Sequence, residues 1–263
     1  MVDILLTNDD GYRSAGFLPL LKALSREFSV TAVTPSGERS WISKSITTNR
    51  DIGVRTVKVG GHTVHSVTGT PADCVQVGLY NILRAPPKLV VSGINLGVNA
   101  GHARILSSGT VGACMEASIE GVRSIASSIH MSLAEKKGVD FFSPRTYPLF
   151  QGPSNVTLKL VKKLFGLKFG QDFDLISVNM HVSATPETPV EVTTPFKAPY
   201  GKMFFPTGKG RYRHKCPQIE FKDMKKGTDL KALHEGKISV TPVSLDLLPR
   251  GTAKKVEDAL NIW

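Results

Sequence analysis

Short apolar runs that end in polar or glycine punctuation alternate along this chain with longer segments whose apolar residues recur at helical spacing. That alternation predicts βαβ units and a mainly parallel sheet covered on both faces. Asp3-Ile4-Leu5-Leu6-Thr7 predicts a buried strand and Asn8-Asp9-Asp10-Gly11 the loop at its carboxyl end. Gly16 to Phe28 follows as a helix with Phe17, Leu20, Leu21 and Leu24 on one face. Val30 to Thr34 returns as a strand punctuated by Pro35-Ser36-Gly37, and the polar stretch Glu38 to Arg50 is expected as a long loop of the functional kind.

Val54 to Val59 and His62 to Val67 predict a hairpin turned by Gly60-Gly61, after which Thr68-Gly69-Thr70-Pro71 opens a helix ending near Leu83. Lys88 to Ser92 is a further buried strand whose exit, Gly93 to Asn99, is rich in glycine and amides. Ser107-Ser108-Gly109-Thr110 caps a helix running to about Glu120, with Gly121 as its stop. Ser124 to Ile129 and Asp174 to Asn179 predict strands, with a helix from Ser154 to Phe165 between them. From about Thr185 the texture changes: prolines break up helical spacing and basic residues thicken, with Phe196, Tyr200, Phe204, Phe205 and Tyr212 interleaved. Gly236 to Pro242 predicts a late strand and Thr252 to Asn261 a terminal helix capped by Thr252.

At 263 residues the chain predicts one large domain, or one domain with an appendage, whose core needs no disulfide or structural metal merely to fold. Its 21% charged and 41% hydrophobic residues are those of a globular protein, and the net charge of +11 suits polyanionic partners such as phosphates, nucleotides or RNA. Cys74, Cys114 and Cys216 are odd in number and lack metal-ligand spacing, and only a short apolar run, Ile4-Leu5-Leu6, follows Met1-Val2-Asp3. A cytoplasmic protein with neither leader nor membrane span is therefore expected.

Tandem carboxylates at the carboxyl end of a first strand stand where open α/β sheets build their sites. Asp9 and Asp10 concentrate negative charge that a hard divalent cation would neutralise, although Asn-Asp-Asp-Gly is also good turn chemistry anywhere. Ser40, after the second strand, and Asn95, after Val91, could add oxygen ligands at the same edge, each with an alternative role as a capping or turn residue. Ser107 to Thr110 offers hydroxyls, backbone N–H groups and the positive end of a helix dipole, which favour a phosphate. No Walker A sequence or GxGxxG follows a strand, which disfavours an ATPase or a dinucleotide-binding enzyme.

Taken in order, these segments resemble the SurE survival-protein nucleotidases, and their archaeal members in particular. Ile4 to Gly11, Gly69-Thr70-Pro71-Ala72-Asp73-Cys74, Val91 to Gly97 and Ser108-Gly109-Thr110-Val111 look like its signatures, and Gly227-Thr228-Asp229 with Glu235-Gly236 and Ile238 to Pro242 like its C-terminal one. Each is weak alone; the ordered set is specific. The resemblance implies an α/β, Rossmann-like core over residues 1–184, with helices on both faces of a mainly parallel sheet. It also implies a smaller C-terminal β-hairpin and helix region over 185–263 used for assembly as a homodimer or homotetramer.

The same resemblance implies one divalent cation per subunit, Mg²⁺ or Mn²⁺, held by Asp9, Asp10, Ser40 and Asn95. Asp9, Asn99 and Ser108 would carry the catalysis, and Asn8, Ser107, Ser108, Gly109 and Thr110 would line the phosphate pocket, with Ser107 and Ser108 competing for the phosphate-facing position. His102 and Arg104 could contact phosphate or base, or be solvated. The chain departs from the family pattern at Ala15, where proline is common, at Trp41, where small residues are usual, and at Gly101-His102-Ala103-Arg104, which replaces an often acidic stretch.

The implied activity is hydrolysis of nucleoside 5′- and 3′-monophosphates to nucleoside and phosphate. A broad phosphatase or exopolyphosphatase with the same site is the nearest rival. A nucleic-acid-binding protein using Phe196 to Lys226 is the rival from another class, less favoured because those aromatics can equally pack a hairpin or a subunit contact.

Overall fold

The computed structural model describes residues 2–166, 173–197, 199–216, 219, 224–246, 254 and 258–260. The strands are β1 (Ile4–Thr7), β2 (Val30–Pro35), β3 (Val54–Val59), β4 (His62–Val67), β5 (Leu89–Asn95), β6 (Ser124–His130), β7 (Leu175–His181), β8 (Val190–Val192), β9 (Phe204–Gly208), β10 (Arg211–His214) and β11 (Ile238–Val243). The helices are α1 (Phe17–Leu24), α2 (Pro71–Val77), α3 (His102–Ser107), α4 (Gly109–Ile119), α5 (Leu133–Lys136), α6 (Gln151–Leu164) and α7 (Asp229–His234). Most of the expected terminal helix, Thr252 to Asn261, lies outside the described residues, its capping Thr252 included.

Nine strands form one sheet in the order β3-β4-β2-β1-β5-β6-β7-β11-β8, and β9 with β10 makes a separate hairpin. The run β4-β2-β1-β5-β6-β7 is parallel throughout; β3 and β11 pair antiparallel to their inner neighbours. The fold is thus a mainly parallel, Rossmann-like α/β sheet. β2 and β5, the strands reached from the two directions in which the chain winds, flank β1, so the crevice beyond its carboxyl end is the switch point of the topology.

Alternation along the central strands assigns them to two packing layers. Ile4 and Leu6 of β1 and Leu89 and Val91 of β5 join Phe17, Leu20 and Leu24 of α1 and Val156 and Val161 of α6. Leu5 and Val90 face the other way, onto Val75 of α2 and Ala113 of α4. Gly16 is required where α1 begins, because a Cβ there would lie 2.5 Å from the Ile94 carbonyl oxygen. α2 starts as expected, with Thr70 and Asp73 forming a reciprocal capping box, but narrows to Val77 and continues to Ile82 as one wider π turn.

Two helices at the sheet's carboxyl edge, α3 and α5, were not expected from apolar spacing. The late strand β11 enters the main sheet between β7 and β8, with Ser239 opposite Asn179 and Val240 opposite Val178. Residues beyond 184 therefore complete the central sheet as well as forming the hairpin.

Candidate active site

β1 stops at Thr7 and the chain turns at once. Asn8 makes the turn: its amide nitrogen donates to the Gly11 carbonyl at 3.0 Å and its oxygen accepts from the Gly11 N–H at 3.1 Å. Gly11 adopts φ 84°, and a Cβ there would sit 3.1 Å from the Pro35 carbonyl oxygen, so glycine is what the turn demands. The turn leaves Asp9 and Asp10 almost fully buried, at 3% and 6% exposure, on the floor of a cleft of about 680 Å³.

One oxygen of each acid is fixed by a donor from another element. The Thr110 hydroxyl donates to Asp9 Oδ1 at 2.6 Å, and the Leu96 N–H donates to Asp10 Oδ2 at 3.2 Å. Burial raises the Asp9 carboxyl to a pKa of about 6, against the hydrogen bond from Thr110. Burial, and then the neighbouring Asp9 charge, raises Asp10 well above the ordinary carboxylate range. Two desolvated acids side by side are relieved by a cation more readily than by water.

Ser40 and Asn95 line the same cleft. The Ser40 hydroxyl donates to the Glu38 carboxylate at 2.7 Å, and the Asn95 amide nitrogen donates to the Gly97 carbonyl at 2.6 Å. With their hydrogens engaged, both retain oxygen lone pairs. Two carboxylates, an amide and a hydroxyl form an all-oxygen donor set, the chemistry of a hard divalent cation. Only two of the four are acids, which agrees with the absence, among the described residues, of any group of three or more His, Cys, Asp or Glu fit to hold a metal.

The start of α4 abuts this floor. Ser108 is its N-cap, its oxygen accepting from the Val111 N–H at 3.1 Å, while the N–H groups of Gly109 and Thr110 precede it in the same first turn. Gly109 has no room for a side chain: a Cβ would meet the Arg39 carbonyl oxygen at 2.8 Å and the Asp9 Cβ at 3.0 Å. Ser107, one residue earlier, shares a hydrogen bond with the Tyr200 hydroxyl, and both serines line the cleft.

Asn99 is held more firmly than any turn residue needs to be. Its N–H donates to Asn179 Oδ1 at 2.8 Å, its carbonyl accepts from Asn179 Nδ2 at 3.1 Å, and its amide nitrogen donates to Ser128 at 2.9 Å. Ser128 of β6 and Asn179 of β7 thus pin this loop. Asp229 does the same nearby, accepting from the N–H groups of Gly101 at 2.6 Å and Phe196 at 2.9 Å.

The loop carrying Ser40 is strapped to both neighbours. The Arg39 N–H donates to the Asp9 carbonyl at 2.7 Å, the Ser43 N–H to the Ser107 carbonyl at 3.0 Å, and the Ser43 hydroxyl to the Leu106 carbonyl at 2.6 Å. Lys44 forms an ion pair with Glu116 of α4 at 2.5 Å, and Gly112 lets the helix approach so closely that a Cβ would fall 2.2 Å from the Ser43 carbonyl oxygen.

Of the residues singled out from sequence, Asp9, Asp10, Ser40, Asn95, Asn99, Arg104, Ser107 and Ser108 line the one cleft. Asn8, Gly109 and Thr110 are buried beside that lining. His102 is exposed and lies outside it; its N–H donates to the Phe196 carbonyl at 3.0 Å. Arg104 lies with its guanidinium 5.9 Å from the centre of the Tyr200 ring, and burial lowers its pKa. Unanticipated were Glu38, Asn179 and Asp229, and the far wall of the cleft formed by Ile129 to Leu133, Lys136, Phe141 and Phe142. Asp229 lay within a recognised segment; nothing local marks Asn179, whose partner is eighty positions away.

A family model described as "Survival protein SurE" matches residues 4–202. A 5′-nucleotidase SurE from Archaeoglobus fulgidus is 36% identical over 264 residues, covering 99% of this chain and 96% of its own. One from Methanoregula boonei is 35% identical over 252 residues, covering 94% of each chain. The crystal structure of a SurE protein from Aquifex aeolicus matches with a TM-score of 0.81 at 30% identity, over 98% of this chain and 99% of that one.

Proposed function

The chain belongs to the SurE survival-protein family, and from that premise we propose how its cleft works on a phosphate ester. The protein is a metal-dependent nucleotide phosphomonoesterase, releasing phosphate from a nucleoside monophosphate. One observation carries the assignment of roles: four oxygen donors from three separate strand ends and the first turn of α4 meet in a single cleft.

Asp9, Asp10, Ser40 and Asn95 would hold one divalent cation per subunit, Mg²⁺ or Mn²⁺. Bound there, the cation supplies Lewis-acid polarisation of a phosphoryl oxygen and a positive charge beside the reacting group. Ser108 and the N–H groups of Gly109 and Thr110 receive the phosphoryl oxygens at the positive end of α4, where negative charge is favoured. Asn99, immobilised by Asn179 and Ser128, offers its amide to the same group. Asp9 accepts a proton from the attacking water, and Thr110 keeps its carboxylate in position. Both 5′- and 3′-monophosphates are taken as substrates.

Residues 1–184 are the catalytic unit in this reading, and 185–263 the assembly region of a cytoplasmic homodimer or homotetramer. Exposed Val192, Phe204 and Tyr212 support a contact between subunits there. No described helix is long and apolar enough to cross a membrane.

The test is phosphate release from nucleoside 5′- and 3′-monophosphates, polyphosphate and an aryl phosphate, each with Mg²⁺, Mn²⁺ or chelator. Turnover of the nucleotides with metal, and its loss with chelator, is expected; Asp9→Asn should lower kcat by at least about 100-fold with the fold unchanged by circular dichroism. Undiminished turnover in chelator or in that variant would end this account. Light scattering of the purified protein reads the assembly directly.

A further inference from the structure

Trp41 does what a large apolar residue on a loop rarely does. It lines the cleft, remains 39% exposed, and adopts φ 63°, a left-handed backbone conformation that a bulky side chain occupies only against steric resistance. Its sequence neighbour is Ser40, on the cation side of the cleft, so the ring stands one residue from a group assigned to the cation and shares the cleft with Ser107 and Ser108 on the phosphate side. The surroundings hold this geometry from behind. Tyr200 meets the indole with ring centres 5.4 Å apart at 57°, and His214 meets it edge-on at 5.0 Å and 73°. Tyr200 is in turn anchored through its hydroxyl to the Ala103 carbonyl and Ser107. Downstream, Ser43, itself at φ 53°, is fastened to the end of α3 by two hydrogen bonds. A strained residue fixed on both sides and still open to a cleft of about 680 Å³ is poised to meet something flat and apolar.

We infer that Trp41 is the platform for the nucleobase of the substrate, and so the residue that makes this phosphatase prefer nucleotides over base-free phosphate esters. The inference rests on the nucleotidase reading above and adds a specificity element to it. Every base has a π-face, so stacking discriminates the presence and size of a base more than its identity. Purine nucleotides should therefore be favoured over pyrimidine nucleotides, and both over ribose 5-phosphate.

The experiment compares kcat/KM for a purine nucleoside monophosphate with that for ribose 5-phosphate, in the native protein and in Trp41→Phe, Trp41→Ala and Trp41→Gly. Glycine accepts φ 63° without strain, so Trp41→Gly removes the ring while keeping the loop geometry attainable. The ratio should fall about tenfold in the Ala and Gly variants, the scale of one base lost from an aromatic ring, and be largely restored in Trp41→Phe. A parallel fall in kcat/KM on both substrates would mean that Trp41 only holds the Ser40 loop, and kcat/KM unchanged on both that it does neither; either result overturns the inference.

Binding gives a second readout that does not require turnover. The chain has two tryptophans, so in a Trp263→Phe background the emission of Trp41 should be quenched by the nucleoside monophosphate and not by ribose 5-phosphate. Equal or absent quenching sinks the platform. If the native protein releases phosphate from no nucleotide yet quenching is base-dependent, the nucleotidase reading fails and the platform stands.

Discussion

Asp229 has no exposed surface, yet its carboxylate accepts three backbone N–H groups, from Gly101, Phe196 and Leu230. Burial raises its pKa and the three hydrogen bonds oppose that rise, so the site is satisfied only as the carboxylate. Removing it would strand three backbone donors, those of Gly101 and Leu230 buried and that of Phe196 partly so. Asp229→Ala should therefore destabilise the protein by at least about 2 kcal/mol in a urea titration, and raise KM for substrate because Gly101 and Asn99 share one loop. A neutral result would show that the loop is held by other means. The same scale separates what local sequence can reveal from what it cannot. Asp9, Asp10 and Asn95 announce themselves because strand, turn and polar group are consecutive. Asn179 and Ser128 do not: a polar residue inside an apolar run reads as noise until the distant Asn99 is brought beside it.

Among the elements, the strap from Arg39 to Lys44 joins the cation side of the cleft to the phosphate side. Lys44→Met breaks the ion pair to the nearly buried Glu116 and should weaken Mn²⁺ binding about tenfold by calorimetry, with Lys44→Arg restoring most of it. Unchanged affinity would assign the pair to stability alone. α5 forms part of the opposite wall and depends on acidity. Its capping box draws the Glu135 pKa down to about 2, chiefly through the Ser132 N–H and hydroxyl and also through His181. A lowered carboxyl stabilises the folded form above its unfolded value of 4.5 and loses that contribution as the pH falls toward 2. Amide protection factors at α5, corrected for the intrinsic pH dependence of exchange, should accordingly fall across that window, ahead of those in the sheet. The longer elements were legible because their apolar spacing is regular. α3 was not, since Gly101 offers no capping side chain, and β8 has only three residues with no buried face.

For the whole molecule, burial raises both carboxyls, and the Asp9 charge raises Asp10 further, so the cation-free form carries an electrostatic cost which binding removes. Mg²⁺ or Mn²⁺ should raise the melting temperature, and Asp10→Asn should remove most of that increment while itself melting no lower than the native protein in chelator. A shift that survives the substitution would place the ion elsewhere. The mainly parallel sheet, with a site at the carboxyl end of its first strand, was readable from the alternation of runs and punctuation; the strand order that makes this the switch point was not. The route of the last third was not, because nothing local says that β11 slots between β7 and β8. That late insertion has a consequence during synthesis. While the polypeptide is still emerging from the ribosome, Leu175 to Asn179 of β7 keep one row of peptide groups bare until positions 239–243 arrive. A prematurely stopped product would carry that naked row permanently, ready to recruit strands from its neighbours and precipitate even though every residue of the catalytic floor had already been made.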